Sequence, residues 1–331
     1  MRSKTAANAI LYYEAGQEYV PMAALTDSGD HAKFTSPDDQ WSGFEGKEPT
    51  VRPNGLLTGG VITPAASDTN NYVDVSAATA YIAGVLVNVD AAADLEVARG
   101  ISSHIINSIV IQDDGEGGFE FAVEAGLTST SFDTTRGEAG APPLIGVDDI
   151  EVGQVRYTSS SGAAVAADEI FQVPGTHQEL SAFPVWDEDW AEGEIEFASV
   201  LPLIHTGTAA RKVYAAYYTP IYSEVPAASD FVPAEQTHSV TSTQIYGGTV
   251  GARSSTLGQG SFTARLSSGV VDNFIKNKNK NLWFKFYPDR YRDEHILSQG
   301  VLGISRQFPA GDSIIANCTI SADAPSVDVE S

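Results

Sequence analysis

Cysteine is nearly absent from this 331-residue sequence. The single Cys318 has no partner for an internal disulfide, and its place in an alternating apolar pattern reads as a small buried side chain. No apolar run approaches the roughly 20 residues that a membrane-spanning helix needs, so no membrane insertion of the chain is expected. Met1-Arg-Ser-Lys-Thr is followed by no apolar stretch and reads as no signal peptide. The six histidines (31, 104, 177, 205, 238 and 295) form no His-x-x-x-His pair and none stands beside the cysteine, against a zinc site. No phosphate-loop spacing and no Gly-x-Ser-x-Gly elbow occurs.

Basic residues are also scarce. Nineteen Lys and Arg face 43 Asp and Glu, a formal charge of −24, and no lysine lies between Lys47 and Lys212. Residues 250–331 are nearly neutral, with nine basic and eight acidic side chains, while residues 1–249 hold ten and 35. Such a surface is repelled by a phosphate backbone, which argues against ordinary nucleic-acid binding. Solubility, or a salt-adapted host, accounts for the same balance.

Two acidic clusters invite a chemical reading. Asp113-Asp-Gly-Glu-Gly-Gly118 lacks the spaced carboxylates of an EF-hand loop and reads as a hairpin turn. Asp187-Glu-Asp with Glu192, Glu194 and Glu196 has the ingredients of paired acid catalysis, but adjacent carboxylates are more simply a solvated face. No catalytic, metal or cofactor residue is assigned, and no enzyme activity is expected.

What is abundant is strand pattern. The length allows two domains. Ala9 to Tyr13 and Glu18 to Leu25 read as a hairpin turning at Glu14–Gln17. Residues 27–57 lack periodicity and read as a long loop or arm anchored by Trp41 and Phe44. From Gly60 small, β-branched and acidic residues take over. Tyr72 to Ser76 alternates, Ala80 to Val89 reads as a strand with a bulge at Gly84, and Ile105 to Ile111 pairs with Phe119 to Val123. Val152 to Tyr157 and Lys212 to Tyr222 follow, then Ser239 to Tyr246.

The C-terminal stretch, Gly260 to Asp323, carries the sharpest pattern. Phe262, Ala264 and Leu266 share one strand face. Ser267 or Ser268 is placed to cap a helix whose apolar positions are Val270, Val271, Phe274 and Ile275. Leu282 to Tyr287 is almost wholly apolar, so both faces are expected to be covered, one by that helix. Leu302, Ile304 and Phe308 then share a face, as do Ile314, Ala316, Cys318 and Ile320. The expected core is Phe262, Leu266, Val270, Phe274, Trp283, Phe286, Ile304 and Ile320.

These segments carry a resemblance. "GQGSFTARL", a short helix, "LWFKFYPDR" and "GVLGISRQFPAGDSIIANCTISA" resemble the C-terminal half of phage major tail tube proteins, and "LYYEAGQEYVPMAALTD" resembles that family's opening hairpin. The resemblance covers residues 7–30 and 176–331. "GGVITPAASDTNNYVDVSAATAYIAGVLVNV" is similar to small β domains of phage baseplate and fibre proteins.

The resemblance implies a mainly β, tail-tube-type sandwich or barrel with one packed α-helix, plus an inserted all-β domain. Residues 1–55 supply the hairpin and arm, 56–175 the outward-facing insertion, and 176–331 the main part of the tube domain. It implies a structural virion protein forming stacked homo-hexameric rings whose acidic lumen passes DNA at ejection, with Trp41 and Phe44 on an arm to the next ring. The implied partners are further copies of the chain and the tail terminator, baseplate or tip, and tape-measure proteins. The implied location is the virion, and the host cytoplasm during assembly. The sequence singles out no lumen-lining residue. The competing class is a baseplate or tail-fibre module that binds a host surface ligand through its inserted domain; a third, a carbohydrate-active enzyme, would need activity that depends on Asp187 or Glu192.

Overall fold

The computed structural model describes residues 8–38, 40–181, 185–206, 211–246 and 248–330. Met1–Thr5, read above as lacking a leader, lie outside the described residues. The protein is mainly β, built from antiparallel sheets. It divides into two compact units. The terminal unit comprises Met1–Val20, Gln40–Pro49 and Tyr217–Ser331; the central unit comprises Pro21–Asp39 and Thr50–Ala216. The central unit is therefore larger than the expected 56–175 block.

Ten strands serve to describe the terminal unit: β1 (Ile10–Ala24), β2 (Val213–Glu224), β3 (Ser229–Val232), β4 (Gln236–Ile245), β5 (Gly248–Leu257), β6 (Gly260–Leu266), β7 (Asn281–Tyr287), β8 (His295–Gln307), β9 (Ile314–Ser321) and β10 (Val327–Val329). The unit boundaries fall inside β1 and β2. The sheet order is β3-β6-β9-β8-β7-β1-β2, with β10 added on β8. The sheet curls over one apolar core. Phe231 of β3 stacks on Phe286 of β7 at 4.5 Å, and Phe262 of β6 meets Phe284 of β7 at 5.7 Å.

In the central unit, Ile105–Asp113 pairs on one side with Phe119–Glu124 and on the other with Ile150–Tyr157. Gly55–Gly59, Ala78–Ile82 and Val85–Val89 form a second sheet, and Ile62–Pro64, Tyr72–Val75 and Ala92–Glu96 a third. Their apolar faces close on one core that includes Val73, Val75, Ile109, Ile111, Val152 and Tyr157.

Five expectations change. The C-terminal helix is replaced by a 3-10 turn, Asn273–Asn277, and no α-helix occurs among the described residues. The Asp272 carboxylate accepts the backbone N–H groups of Ser267, Ser268 and Gly269 at 3.1, 3.2 and 2.7 Å. That side chain thus stabilises a turn where a helix would have begun, and Val270, assigned to the core, is 65% exposed. The N-terminal hairpin is one continuous 15-residue strand. Residues 27–57 contain short strands, Lys33–Thr35, Thr50–Pro53 and the start of Gly55–Gly59 among them. Ala83 and Gly84 both take positive φ, 51° and 72°, and make a two-residue hairpin turn instead of a bulge. Phe308 falls beyond the end of β8 and is exposed.

Candidate assembly surface

The central unit's buried charges are spent on one another. Glu151 is buried; its carboxylate accepts Ser108 Oγ at 2.5 Å and Gln154 Nε2 at 3.0 Å, and pairs with the Arg136 guanidinium. Glu179 Oε1 lies 2.9 Å from Arg211 Nε and 3.9 Å from His205 Nε2, while its Oε2 accepts the Glu151 N–H at 2.7 Å. Burial pushes both carboxyls above their ordinary range, and the arginines act against that rise. Burial and then Arg211 hold the His205 imidazole down, to about 4. Arg156 donates to His177 Nε2 at 2.7 Å, so that nitrogen acts as an acceptor and the ring is neutral. Burial, then Arg156, lowers the His177 pKa as well.

The two acidic clusters also have structural partners, and one of their members, Glu194, is buried. Trp186–Asp189 and Glu194–Phe197 form a hairpin that sets Asp187 opposite Glu196 and Asp189 opposite Glu194. Lys33 Nζ relieves that like-charge register, 2.9 Å from Glu194 and 3.3 Å from Glu196. In the 113–118 turn, Asp113 accepts the Gly115 N–H, and Asp114 accepts those of Glu116 and Gly118. Among the described residues no group of three or more His, Cys, Asp or Glu is arranged to hold a metal ion.

Of the core residues assigned from sequence, Phe262, Leu266, Phe274, Ile304 and Ile320 meet in one buried cluster, with Phe286 packed at its edge. Phe274, on the 3-10 turn, contacts Tyr13 at 5.0 Å and Phe262 at 6.0 Å between ring centroids. Trp283 is buried among different partners. Its Nε1 donates to the Trp41 carbonyl at 2.8 Å, and Trp41 packs on Tyr217 at 5.5 Å. Phe44 packs against the main cluster. Both arm candidates are thus bound into their own unit.

Glu14 is the residue that sequence reading missed. Its wholly buried carboxylate accepts Ser42 Oγ, the Gly43 N–H at 3.1 Å and the Trp283 N–H at 3.2 Å, tying 40–46 to β1 and β7. Burial raises its pKa, and these hydrogen bonds act against the rise. The one available signal was an acid placed inside the apolar run Ile10 to Ala15.

A different surface remains open. β4 and β5 pair with each other over ten residue pairs and with no other strand among the described residues. At about 3.3 Å per residue the ribbon is roughly 33 Å long. Its described side chains are exposed, apart from half-buried Leu257 at the base, and Val240 is 69% exposed. Ser239 and Ser254 hydroxyls meet across it at 2.6 Å. None of the 36 residues from Gln236 to Val271 is Asp or Glu, the longest such stretch in the chain. The outward face of the neighbouring strands continues this chemistry: Ser261 stands opposite Thr319, Thr263 opposite Asn317, and Ser305 opposite Asn317. No protein-family model matches the chain, and no curated protein matches it.

Proposed function

We propose that the chain is a structural subunit of a phage tail tube, assembling as stacked hexameric rings through which DNA passes. The observation that carries this reading is strand order. The segments resembling the tail tube family, Gly260–Leu266, Asn281–Tyr287, His295–Gln307 and Ile314–Ser321, occupy adjacent places in one sheet, β6-β9-β8-β7. The finer tail-tube-type classification rests on the same point. The family's packed helix has only a 3-10 turn in its place.

An acidic chain suits a conduit for DNA, because like charge keeps a phosphate backbone from adhering. In this reading the tail terminator, the baseplate or tip and the tape-measure protein are partners, and the chain resides in the virion. Trp41 and Phe44 pack within their own subunit, so any arm to the next ring is another segment. Electron microscopy of concentrated purified protein should show hollow tubes with sixfold rings. A species that stays monomeric at every concentration would refute the assignment.

One observation favours a second reading, a baseplate or fibre module. The central unit has an apolar core of its own, as an independent binding domain would. Trimers that bind host cells would support it.

A further inference from the structure

We infer that a cleft in the terminal unit, beside the sheet's edge strand β3, binds a small zwitterion with an apolar body. The chemical class is that of a free amino acid with a large apolar side chain. Such a site is a binding function beyond any role in assembly. Three observations converge on it.

The first is the cavity itself. Between β3, the start of β1 and the ends of β2 and β7 lies a cleft of about 470 Å3. That volume falls in the range of small-molecule sites, roughly 300–1,000 Å3. Its walls include the buried Ile10, Leu11 and Val225. Phe231 and Phe286 also line it, both half-buried and stacked on one another at 4.5 Å. An apolar body that enters is taken out of water against aliphatic and aromatic surface together.

The second is charge of both signs on the same cleft. Arg290 lines it, and among the described residues the only hydrogen bond of its guanidinium runs from Nε to the Asn8 carbonyl, at 3.4 Å. The terminal nitrogens are left to donate as a pair, the geometry that suits a carboxylate. Glu224 and Asp230 line the cleft too, and neither forms an ion pair among the described residues. Asp230 accepts only the Ser229 hydroxyl, at 2.9 Å. A plain anion would meet these two carboxylates, and a plain cation would meet the guanidinium. A zwitterion satisfies both.

The third is the backbone of the wall. Ser229 stands opposite Thr263 and Val232 opposite Ser261, so β3 carries one residue more than β6 over the same span. Asp230 and Phe231 sit on that bulge, a device that re-aims side chains beside functional sites. Ala227 and Asp230 both take positive φ, 40° and 56°, a conformation that costs any residue with a side chain. Local preference is thus overridden where the chain faces the cleft, as it is at ligand clamps.

The test is a set of saturation-transfer NMR titrations on the dilute full chain, with phenylalanine as the probe. Phenethylamine, which lacks its carboxylate, and 3-phenylpropionate, which lacks its amine, run beside it. Wild type should bind phenylalanine about tenfold more tightly than either analogue. Arg290→Gln should weaken phenylalanine and 3-phenylpropionate about tenfold and leave phenethylamine within about twofold. Glu224→Gln with Asp230→Asn should weaken phenylalanine and phenethylamine and spare 3-phenylpropionate. All three side chains are exposed, so these variants should keep the wild-type melting temperature. Arg253→Gln, outside the cleft, should bind as wild type. Absence of phenylalanine binding by the wild type would overturn the inference. So would equal binding of all three probes, or a loss in Arg253→Gln that matches Arg290→Gln. The predicted pattern in a protein that forms no sixfold tube would sustain the inference and defeat the tube reading alone.

Discussion

The terminal unit carries 12 basic and 15 acidic residues, the central unit seven and 28, so the net charges are −3 and −21. The cores differ as well. The terminal core is aromatic, joining Tyr13, Phe262, Phe274 and Phe284 around the curled sheet. The central core is Val and Ile with Tyr157, and beside it lie the buried Glu151, Glu179 and Arg211 with the half-buried Arg136. One unit is nearly neutral and has two long strands that pair, among the described residues, only with each other. The other is acidic and spends its buried charges internally. The strands that pair only with each other and most of the net charge thus reside in different parts of the chain.

The sharpest way to break that comparison is to damage each core separately. Trp283→Ala or Phe274→Ala should cost ~3–5 kcal/mol, since each leaves a large cavity. If the units unfold independently, only one calorimetric transition should move. Equal displacement of all transitions would show that the two cores form one cooperative unit.

Arg211→Met tests the other core. It leaves the Glu179 carboxylate buried without its guanidinium, and losing one partner of such a pair costs ~3–5 kcal/mol. The double variant Arg211→Met with Glu179→Leu should recover most of that loss in denaturant melts. No recovery would mean that the network holds the unit by something other than charge pairing.

A smaller effect concerns acid. The folded-state pKa of His205 lies below the ordinary histidine value, so the native state binds fewer protons than the unfolded chain between roughly pH 6.5 and 4. Stability tied to this group is complete above that window and is lost as pH falls through it, on the order of 3 kcal/mol. His205→Gln should flatten this part of the wild-type pH profile. An identical acid limb in the variant would remove His205 from the account.

The smallest expected effect is Val270→Ser, within about 0.5 kcal/mol, as for an exposed residue. The helical spacing of Val270, Val271, Phe274 and Ile275 made it look like core. What the spacing hid is the Asp272 side chain, which bonds back to Ser267–Gly269.

Strands were legible wherever alternation was strong, as in β6 and β9, because one face must meet an apolar core. The Glu14–Gln17 turn was misread because a turn-like composition in β1 is overridden by three hydrogen bonds to the Glu14 carboxylate, from residues distant in sequence. The domain boundary was misplaced for a related reason: Leu56 bonds to the 179–181 segment through backbone groups that carry no side-chain signature. Of the ribbon, only β4 was visible, as the Ser239 to Tyr246 strand; β5 carried no strand reading. That they bond to no third strand among the described residues depends on topology, which composition does not encode.

Hydrogen–deuterium exchange on dilute monomer and on assembled protein tests the contrast between the units most directly. Amides of 236–257 should exchange rapidly in the monomer and become strongly protected on assembly, while those of 105–113 and 150–157 keep the same slow rates in both. Unchanged exchange across the ribbon, with new protection confined to the acidic central unit, would contradict the account.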